Sequence, residues 1–212
     1  MGGARGQAAS EAVILCAVVL AGLALVGSAA RVTVTGGVFQ PIAQAPVDPP
    51  DDLTVEPGSP AAVALALWRL GIRETARNRG PMIDRFTSRH AEAWCADFVS
   101  WVLRAAERPF TGGLDGGWRL AAVASVVGWF RGRGLFSDRG VARPAPGDVV
   151  VFAHGHVGIV VRVTGSELVT VEGNAGDAVV RRTYRGWSRD ADIVGFGRPR
   201  REWTETARRL PR

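Results

Sequence analysis

Apolar residues recur at helical spacing in the middle of the chain. Ser59 and Pro60 are typical of a helix start, as an N-cap and a first helical residue, and they predict a short helix over residues 61–70. A second helix is predicted from Cys95 to a point before Pro109, because an apolar stripe follows the cysteine on one side. The stripe consists of Phe98, Val99, Val102 and Ala106, and the opposite face carries Asp97, Ser100, Arg104 and Glu107.

The period changes from helical to alternating beyond a turn cluster at residues 144–148. A third helix is predicted before this change, over residues 119–130. Five stretches after it have the alternation or the short apolar runs of β-strands. They span residues 149–153, 156–163, 168–174, 179–184 and 193–196. Helices followed by antiparallel strands indicate an α+β domain, with the helices packed on a small antiparallel sheet or partial barrel.

Two neighbouring strands carry apolar faces that fix their pairing. The first face consists of Val157, Ile159, Val161 and Val163, and the second of Val169 and Val171. Both faces must lie on the same side of the sheet, and a three-residue turn at residues 164–166 achieves this. The predicted pairs are Val163 with Glu167, Gly158 with Glu172, and His156 with Asn174.

This register places His156, Glu172 and Asn174 together on the other face of the sheet. Gly158 leaves space beside His156, and we expect the start of the Cys95 helix to dock there. A histidine takes the proton of a nucleophilic thiol, and a carboxylate or amide fixes the orientation of its ring. The arrangement therefore predicts cysteine-based nucleophilic catalysis.

Cys95 is the only cysteine outside the apolar N-terminal run, and it stands in the first turn of its predicted helix. The positive end of a helix dipole favours a thiolate, and backbone amides at a helix start stabilise an oxyanion. A lone cysteine is more often a small buried hydrophobic residue. The polar side chains that the strands bring together favour the nucleophile.

Four segments, taken in order, resemble the CHAP domains, the cysteine, histidine-dependent amidohydrolases/peptidases of the wider NlpC/P60 group of papain-like folds. They are Trp-Cys-Ala-Asp-Phe-Val at 94–99, Pro-Gly-Asp-Val-Val-Val-Phe at 146–152, Gly-His-Val-Gly-Ile-Val at 155–160 and Val-Glu-Gly-Asn at 171–174. The resemblance covers about residues 59–200. It implies a papain-like fold and cleavage of peptidoglycan, either at the amide that joins the glycan to its stem peptide or within the peptides.

The resemblance also implies roles by position in these motifs: Cys95 as nucleophile, His156 as base, Glu172 as the group that orients His156, and Asn174 as an auxiliary polar group. Typical NlpC/P60 endopeptidases have a second histidine at the position of Glu172, which favours the CHAP branch. No cofactor or metal is expected. His154 and His156 form a His-x-His pair, but a zinc site with one further histidine would be poorly supplied, and His154 is expected to be solvated in a turn.

Three further side chains are candidates for substrate binding: Trp94, Asp97 and Trp118. Each has a structural alternative. Tryptophan more often packs in a core or at a rim, and an aspartate in a first helical turn stabilises the helix dipole by default.

Composition narrows the partners. The chain has 212 residues with a net charge of +6, and all its basic side chains are arginine. No nucleic-acid-binding motif accompanies this charge, so nucleic acid is not expected as a partner. The positive charge would attract anionic cell-surface polymers as well as it would attract nucleic acid.

The N-terminal part is predicted to reach a membrane. A short segment (1–11) precedes a charge-free run (12–30) that is long enough for a transmembrane signal anchor, with a cleaved signal peptide as the alternative. A Pro-rich linker (31–58) follows, then the catalytic domain (59–200) and a basic tail (201–212). The domain is therefore expected outside the cytoplasm, held on the cytoplasmic membrane or secreted.

Two other function classes compete with a cell-wall hydrolase. One is a non-catalytic wall-binding or cell-division module that retains the fold. The presence of Cys95, His156 and Glu172 argues against it, because a binding module does not need all three. The other is a cysteine acyltransferase, which passes the acyl group to an amine instead of water.

Overall fold

The computed structural model describes residues 53–200. The predicted N-terminal segment, the predicted membrane segment, most of the predicted linker and the basic tail lie outside the described residues. Within the described part, no helix is both long and apolar enough to cross a bilayer.

Helices precede strands along the described part of the chain, as the periodicity predicts. The helices are α1 (Pro60–Arg69), α2 (Ile83–Phe86), α3 (Cys95–Ala105) and α4 (Val123–Arg131). The strands are β1 (Phe136–Asp138), β2 (Val149–Phe152), β3 (His156–Val163), β4 (Glu167–Glu172), β5 (Val180–Arg185) and β6 (Ile193–Gly197). Single turns of 3₁₀-helix lie at Asp115–Gly117 and Trp187–Arg189. The α+β class with an antiparallel sheet is therefore confirmed.

The local signals at helix ends succeed at one helix and fail at another. The Ser59 hydroxyl accepts a hydrogen bond from the Ala62 amide at 3.2 Å and caps α1, as expected. The third helix begins at Val123 rather than at residue 119. Arg119 and Leu120 instead make hydrogen bonds to side chains of α3, which hold this segment outside the helix. Helix α2 and strand β1 are too short to leave a periodic signal.

The six strands form one antiparallel sheet in the order β1-β6-β2-β3-β4-β5. Helices α1 and α3 pack against β3. Val157, Ile159 and Val161 are almost completely buried, as expected for the apolar face of β3. The Cys95 helix thus packs on the sheet at β3.

The opposite face of the sheet is also closed by a hydrophobic core, which the sequence pattern did not predict. Val160 and Leu168, which share faces with His156 and Glu172 in the predicted pattern, belong to it. Its other buried members are Val150, Phe152, Trp187, Ile193 and Phe196. The polar side chains of the site therefore lie at the end of a largely apolar face, where water is mostly excluded.

The predicted pairing of β3 with β4 is right near the site and wrong near the turn. Val163 pairs with Leu168, not with Glu167, and the register shifts at the bulge around Val161. Beyond the bulge Ile159 pairs with Val171, which is the predicted register. The bulge also turns Val163 away from its expected face. Val163 packs instead against the core on the opposite face of the sheet, which we call the second core.

Candidate active site

Cys95 is the first residue of α3, and its side chain is 8% exposed. The residue before it, Trp94, takes the N-cap position and has no side-chain oxygen with which to cap the helix. The amide groups of the first turn are therefore left for other acceptors. The indole nitrogen of Trp94 donates to Glu74 at 2.9 Å, which ties the start of the helix to the preceding loop.

Gly173 is the residue on which the start of α3 docks. A Cβ atom at this position would lie 2.4 Å from the Phe98 Cβ and 2.9 Å from the Trp94 ring. Any larger residue would push the helix away from the end of β4. The glycine that follows Glu172 thus sets the distance between Cys95 and the sheet.

His156 begins β3 directly after a tight turn, in which Gly155 has a φ of 82°. It pairs with Phe152 of β2, and its side chain is 12% exposed. Its Nε2 lies 3.1 Å from Oε2 of Glu172, whose side chain is fully buried. With Nε2 held by Glu172, Nδ1 is the ring nitrogen left for the hydrogen bond to Cys95.

The surroundings of His156 favour its protonated form. Burial lowers the pKa of His156, but hydrogen bonds to Cys95 and Glu172 and the negative charges of both groups raise it to about 9. The ring is therefore an imidazolium at neutral pH. An imidazolium between a cysteine and a carboxylate is an arrangement that can support nucleophilic chemistry at the sulfur.

Glu172 accepts hydrogen bonds on both carboxylate oxygens. Oε2 faces His156, and Oε1 accepts from the hydroxyls of Thr170 at 2.7 Å and Tyr184 at 2.8 Å. Burial raises the pKa of Glu172, but the hydrogen bonds from His156, Thr170 and Tyr184 and the charge of His156 outweigh it, so the pKa is lowered. Glu172 is therefore a buried anion.

Sequence reasoning missed the two hydroxyl groups that contact Glu172. Thr170 carried a usable signal, because it lies two residues before Glu172 on the same strand face. Tyr184 carried none, since its approach depends on the pairing of β5 with β4.

The space above Gly158 has a different occupant from the one expected. A Cβ atom on Gly158 would lie 2.6 Å from Cγ of Glu172, so the glycine makes room for this side chain and not for the Cys95 helix. Gly158 lies beside Glu172, as predicted. The prediction that the Cys95 helix docks at Gly158 is wrong. The helix docks at Gly173 instead.

Asn174 lies two residues past the end of β4, in the left-handed region with a φ of 58°. The paired residues of β3 and β4 stop at Ile159 and Val171, so the strand pair between His156 and Asn174 is not formed as such. Asn174 is half-buried close to the site along the chain, and its auxiliary role stays a prediction.

The three candidate substrate-binding residues differ in exposure. Trp94 and Asp97 are completely buried, so in this conformation neither side chain reaches a surface that a substrate would touch. Trp118 is half-buried, and the Arg104 guanidinium lies 4.5 Å from the centroid of its ring. Of the three, Trp118 alone keeps a position compatible with the prediction.

Asp97 and Ser100 were placed on the polar face of the helix but are buried. The reason is the segment at Arg119 and Leu120, which covers that face. Arg119 donates to Asp97 at 2.8 Å, and the Leu120 amide donates to the Ser100 hydroxyl at 3.0 Å. This segment therefore covers the polar face of the first turns of α3.

Arg119 also joins two loops to the start of α3. It donates to Glu92 at 2.7 Å and to Asp115, and Asp115 accepts a further hydrogen bond from Ser88. Its guanidinium thus contacts three carboxylates while its side chain is 2% exposed. We call Arg119, Asp97, Glu92 and Asp115 the Arg119 cluster.

His154 lies in the turn between β2 and β3, as expected, and its side chain is 59% exposed. Its Nδ1 is 2.7 Å from Asp192, and its ring stacks on that of His156 at 5.6 Å between centroids. The two rings are nearly parallel, with 15° between their planes.

Comparisons with known proteins place one family on this region. The model of the CHAP domain family matches residues 87–174. The crystal structure of Ly7917 with the hydrolyzing product of MDP is similar to part of the chain, with 20% identity and a TM-score of 0.33. That alignment covers 50% of this chain and 53% of the other. No curated protein matches the sequence.

The matched segment begins eight residues before Cys95 and ends at Asn174, so it contains Cys95, His156 and Glu172. It also contains Gly173, which sets the docking of the Cys95 helix. This chain is therefore similar to the CHAP domain family over residues 87–174.

Proposed function

We propose that this protein is a bacterial peptidoglycan hydrolase that cleaves an amide bond with Cys95, His156 and Glu172. The observation that carries the proposal is the hydrogen-bonded series from Glu172 through His156 to Cys95 at the start of α3. A second support is the match of residues 87–174 to the CHAP domain family, which the sequence motifs also resemble.

In the proposed reaction, the Cys95 thiolate attacks the carbonyl carbon of the substrate amide. The resulting oxyanion lies against the uncapped amides of the first turn of α3. The His156 imidazolium then gives its proton to the leaving amine, and a thioester remains on Cys95. A water molecule, deprotonated by His156, attacks the thioester and releases a carboxylic acid together with the thiol.

Glu172 has one role throughout this cycle. It holds the His156 ring through Nε2 and stabilises the imidazolium by its negative charge. Glu172 does not need to accept a proton in this cycle, and the lowered pKa of its carboxyl group agrees with that.

The test is incubation of the full chain with purified peptidoglycan and mass spectrometry of the products. We expect new amines and carboxylic acids, and we expect Cys95→Ala to give none while its melting temperature stays close to that of the wild type. New reducing ends would indicate cleavage of the glycan and would overturn the proposal. Products coupled to an added amine would assign the chain to the acyltransferases.

The same experiment separates an amidase from an endopeptidase. An amidase releases whole stem peptides from the glycan, whereas an endopeptidase leaves shortened peptides attached to it. The masses of the soluble products distinguish these two cases.

We also propose that the domain lies outside the cytoplasm, held by residues 12–30. The support is the charge-free run in the sequence and the wall polymer as substrate. An export-dependent reporter fused to the C-terminus should be active. Activity of a reporter that works only in the cytoplasm would contradict this topology.

A further inference from the structure

We propose that Thr170 and Tyr184 are positioning residues, which act on the reaction through Glu172. Their hydroxyls hold one carboxylate oxygen so that the other is directed at His156. The inference rests on the proposed function, in which His156 and Glu172 work together.

The first observation is that the two carboxylate oxygens of Glu172 have different hydrogen-bond partners. Oε1 accepts from Thr170 at 2.7 Å and from Tyr184 at 2.8 Å, and Oε2 lies 3.1 Å from Nε2 of His156. A carboxylate is planar, so two donors on one oxygen fix the direction of the other. Without them, rotation about the last bond of the side chain would be limited only by His156.

Burial is the second observation. Glu172 and Thr170 are fully buried, so no water is in place to take over a lost hydroxyl. Burial, followed by the charge and hydrogen bond of Glu172, raises the pKa of Tyr184, so its phenol keeps the proton that it donates. The two donors are therefore present over the whole pH range in which the enzyme would work.

One cation also lies near Glu172 and offers an alternative. The Arg182 Nε is 3.8 Å from Oε2, and the Arg182 side chain is 52% exposed. That distance is too long for a hydrogen bond, and solvent screens the charge. The hydroxyls therefore orient the carboxylate directly, whereas Arg182 attracts it through solvent and also makes a hydrogen bond to the Tyr184 hydroxyl.

The surroundings allow each hydroxyl to be removed without removing the packing. The Tyr184 ring lies 5.1 Å from the Phe152 ring and packs against the second core, and phenylalanine keeps these contacts. Valine has nearly the shape of threonine, while serine keeps its hydroxyl. Thr183, an exposed neighbour on β5, supplies a matched control for the change from threonine to valine.

The variants are Tyr184→Phe, Thr170→Val, Thr170→Ser and the control Thr183→Val, each made in the full chain. We expect kcat to fall about tenfold in Tyr184→Phe and in Thr170→Val with KM unchanged, since a hydrogen bond to a charged group is lost. Thr170→Ser should recover most of the rate, and Thr183→Val should behave as the wild type.

A second measurement does not depend on activity. The pKa of His156, about 9 in the wild type, can be followed by NMR, because the chain has three histidines and His156→Ala identifies the signal. The charged and titratable groups that face Glu172 or His156 are Cys95, His154, Arg182 and Tyr184. We expect the pKa of His156 to fall in Tyr184→Phe and Thr170→Val, because a loosened carboxylate stabilises the imidazolium less.

The basic limb of the pH–rate profile should move to lower pH in the same two variants. An unchanged His156 pKa together with unchanged rates would overturn the inference. Equal loss of rate in Thr170→Ser and Thr170→Val would also overturn it, because packing and not the hydroxyl would then be responsible. A shifted His156 pKa in a chain that cleaves no peptidoglycan would retain the inference and refute the proposed function.

Discussion

Two completely buried carboxylates contribute to the surroundings of Cys95, and their pKa values move in opposite directions. Glu172, at the end of β4, has a lowered pKa. Asp97, two residues after Cys95 in α3, has its pKa raised to about 6 by burial, although Arg119 lies against it. Both side chains are 0% exposed, so burial alone does not explain the difference.

The partners of the individual oxygens do explain it. Each oxygen of Glu172 accepts at least one hydrogen bond, and these come from His156, Thr170 and Tyr184. Oδ1 of Asp97 accepts from Arg119, but Oδ2 has no hydrogen-bond partner within the described residues. An unpaired buried oxygen favours the protonated form.

The cations are also shared differently. Glu172 faces His156 as its close cationic partner, whereas Asp97 shares Arg119 with Glu92 and Asp115. One guanidinium does not balance three carboxylates, and the fully buried one bears the largest cost of ionisation. Glu172 is thus kept as an anion beside His156, while the Arg119 cluster connects loops to the start of α3.

The largest expected effect is on the rate of peptidoglycan cleavage, when the cation beside Glu172 is removed. We expect His156→Ala to lower the rate of peptidoglycan cleavage by about a thousandfold or more, as loss of a general base in a coupled site does. His154→Ala should cost little, because its ring is 59% exposed and bonds to Asp192 instead. Steady-state hydrolysis of peptidoglycan fragments by both variants makes the measurement.

The opposite outcome is equally informative. An inactive His154→Ala together with an active His156→Ala would mean that the register of β3 and the assignment of the base are both wrong. A loss of rate in both would assign a function to the stacking of the two rings.

The next effect in size concerns the charge of Glu172. Glu172→Gln should reduce the rate by about ten- to a hundredfold, less than His156→Ala, because an amide still orients the ring but does not stabilise its cation. The pKa of His156 should fall below about 9, so that, as the pH rises, activity is lost at a lower pH than in the wild type. Glu167→Gln, at the other end of β4, is the control, and an equal loss there would show that the effect is not local.

Much of this site could be predicted from the sequence, because alternation along β3 and β4 fixes which side chains share a face. Gly158 and Glu172 are neighbours as expected, even though the turn between the strands was wrong by one residue. The bulge around Val161 corrects this error before the site is reached. A bulge leaves no periodic signal, so the agreement at the site did not follow from the predicted turn.

The Arg119 cluster could not be predicted, because its contacts join segments that are distant in sequence. Asp97 and Ser100 fit a polar helix face, and only the segment that carries Arg119 buries them. A helical pattern over residues 119–130 even assigned Arg119 to a helix that begins at Val123. Periodicity reports which residues face a core, and it does not report which irregular segment covers a polar face.

The smallest expected effect is on stability, and it tests the protonation of Asp97 directly. The pKa of Asp97 in the folded chain, about 6, lies above the ordinary value of 3.8, so folding favours the protonated form. This contribution is fully present below about pH 4 and is lost as the pH rises through about 6. Glu172 behaves in the opposite sense, since its lowered pKa stabilises the fold above the ordinary value of 4.5 and this is lost at more acidic pH.

Asp97→Asn removes the titration of Asp97 while keeping the shape of the side chain. The stability of the wild type relative to this variant should therefore decrease by about 2 kcal/mol between pH 4.5 and pH 7, and the contribution of Glu172 cancels because both chains carry it. Melting temperatures of both full chains across this range make the measurement. A difference that stays constant, or that grows in favour of the wild type as the pH rises, would mean that Arg119 keeps Asp97 ionised. In that case the two buried carboxylates would be alike, and the unpaired oxygen of Asp97 would not control its charge.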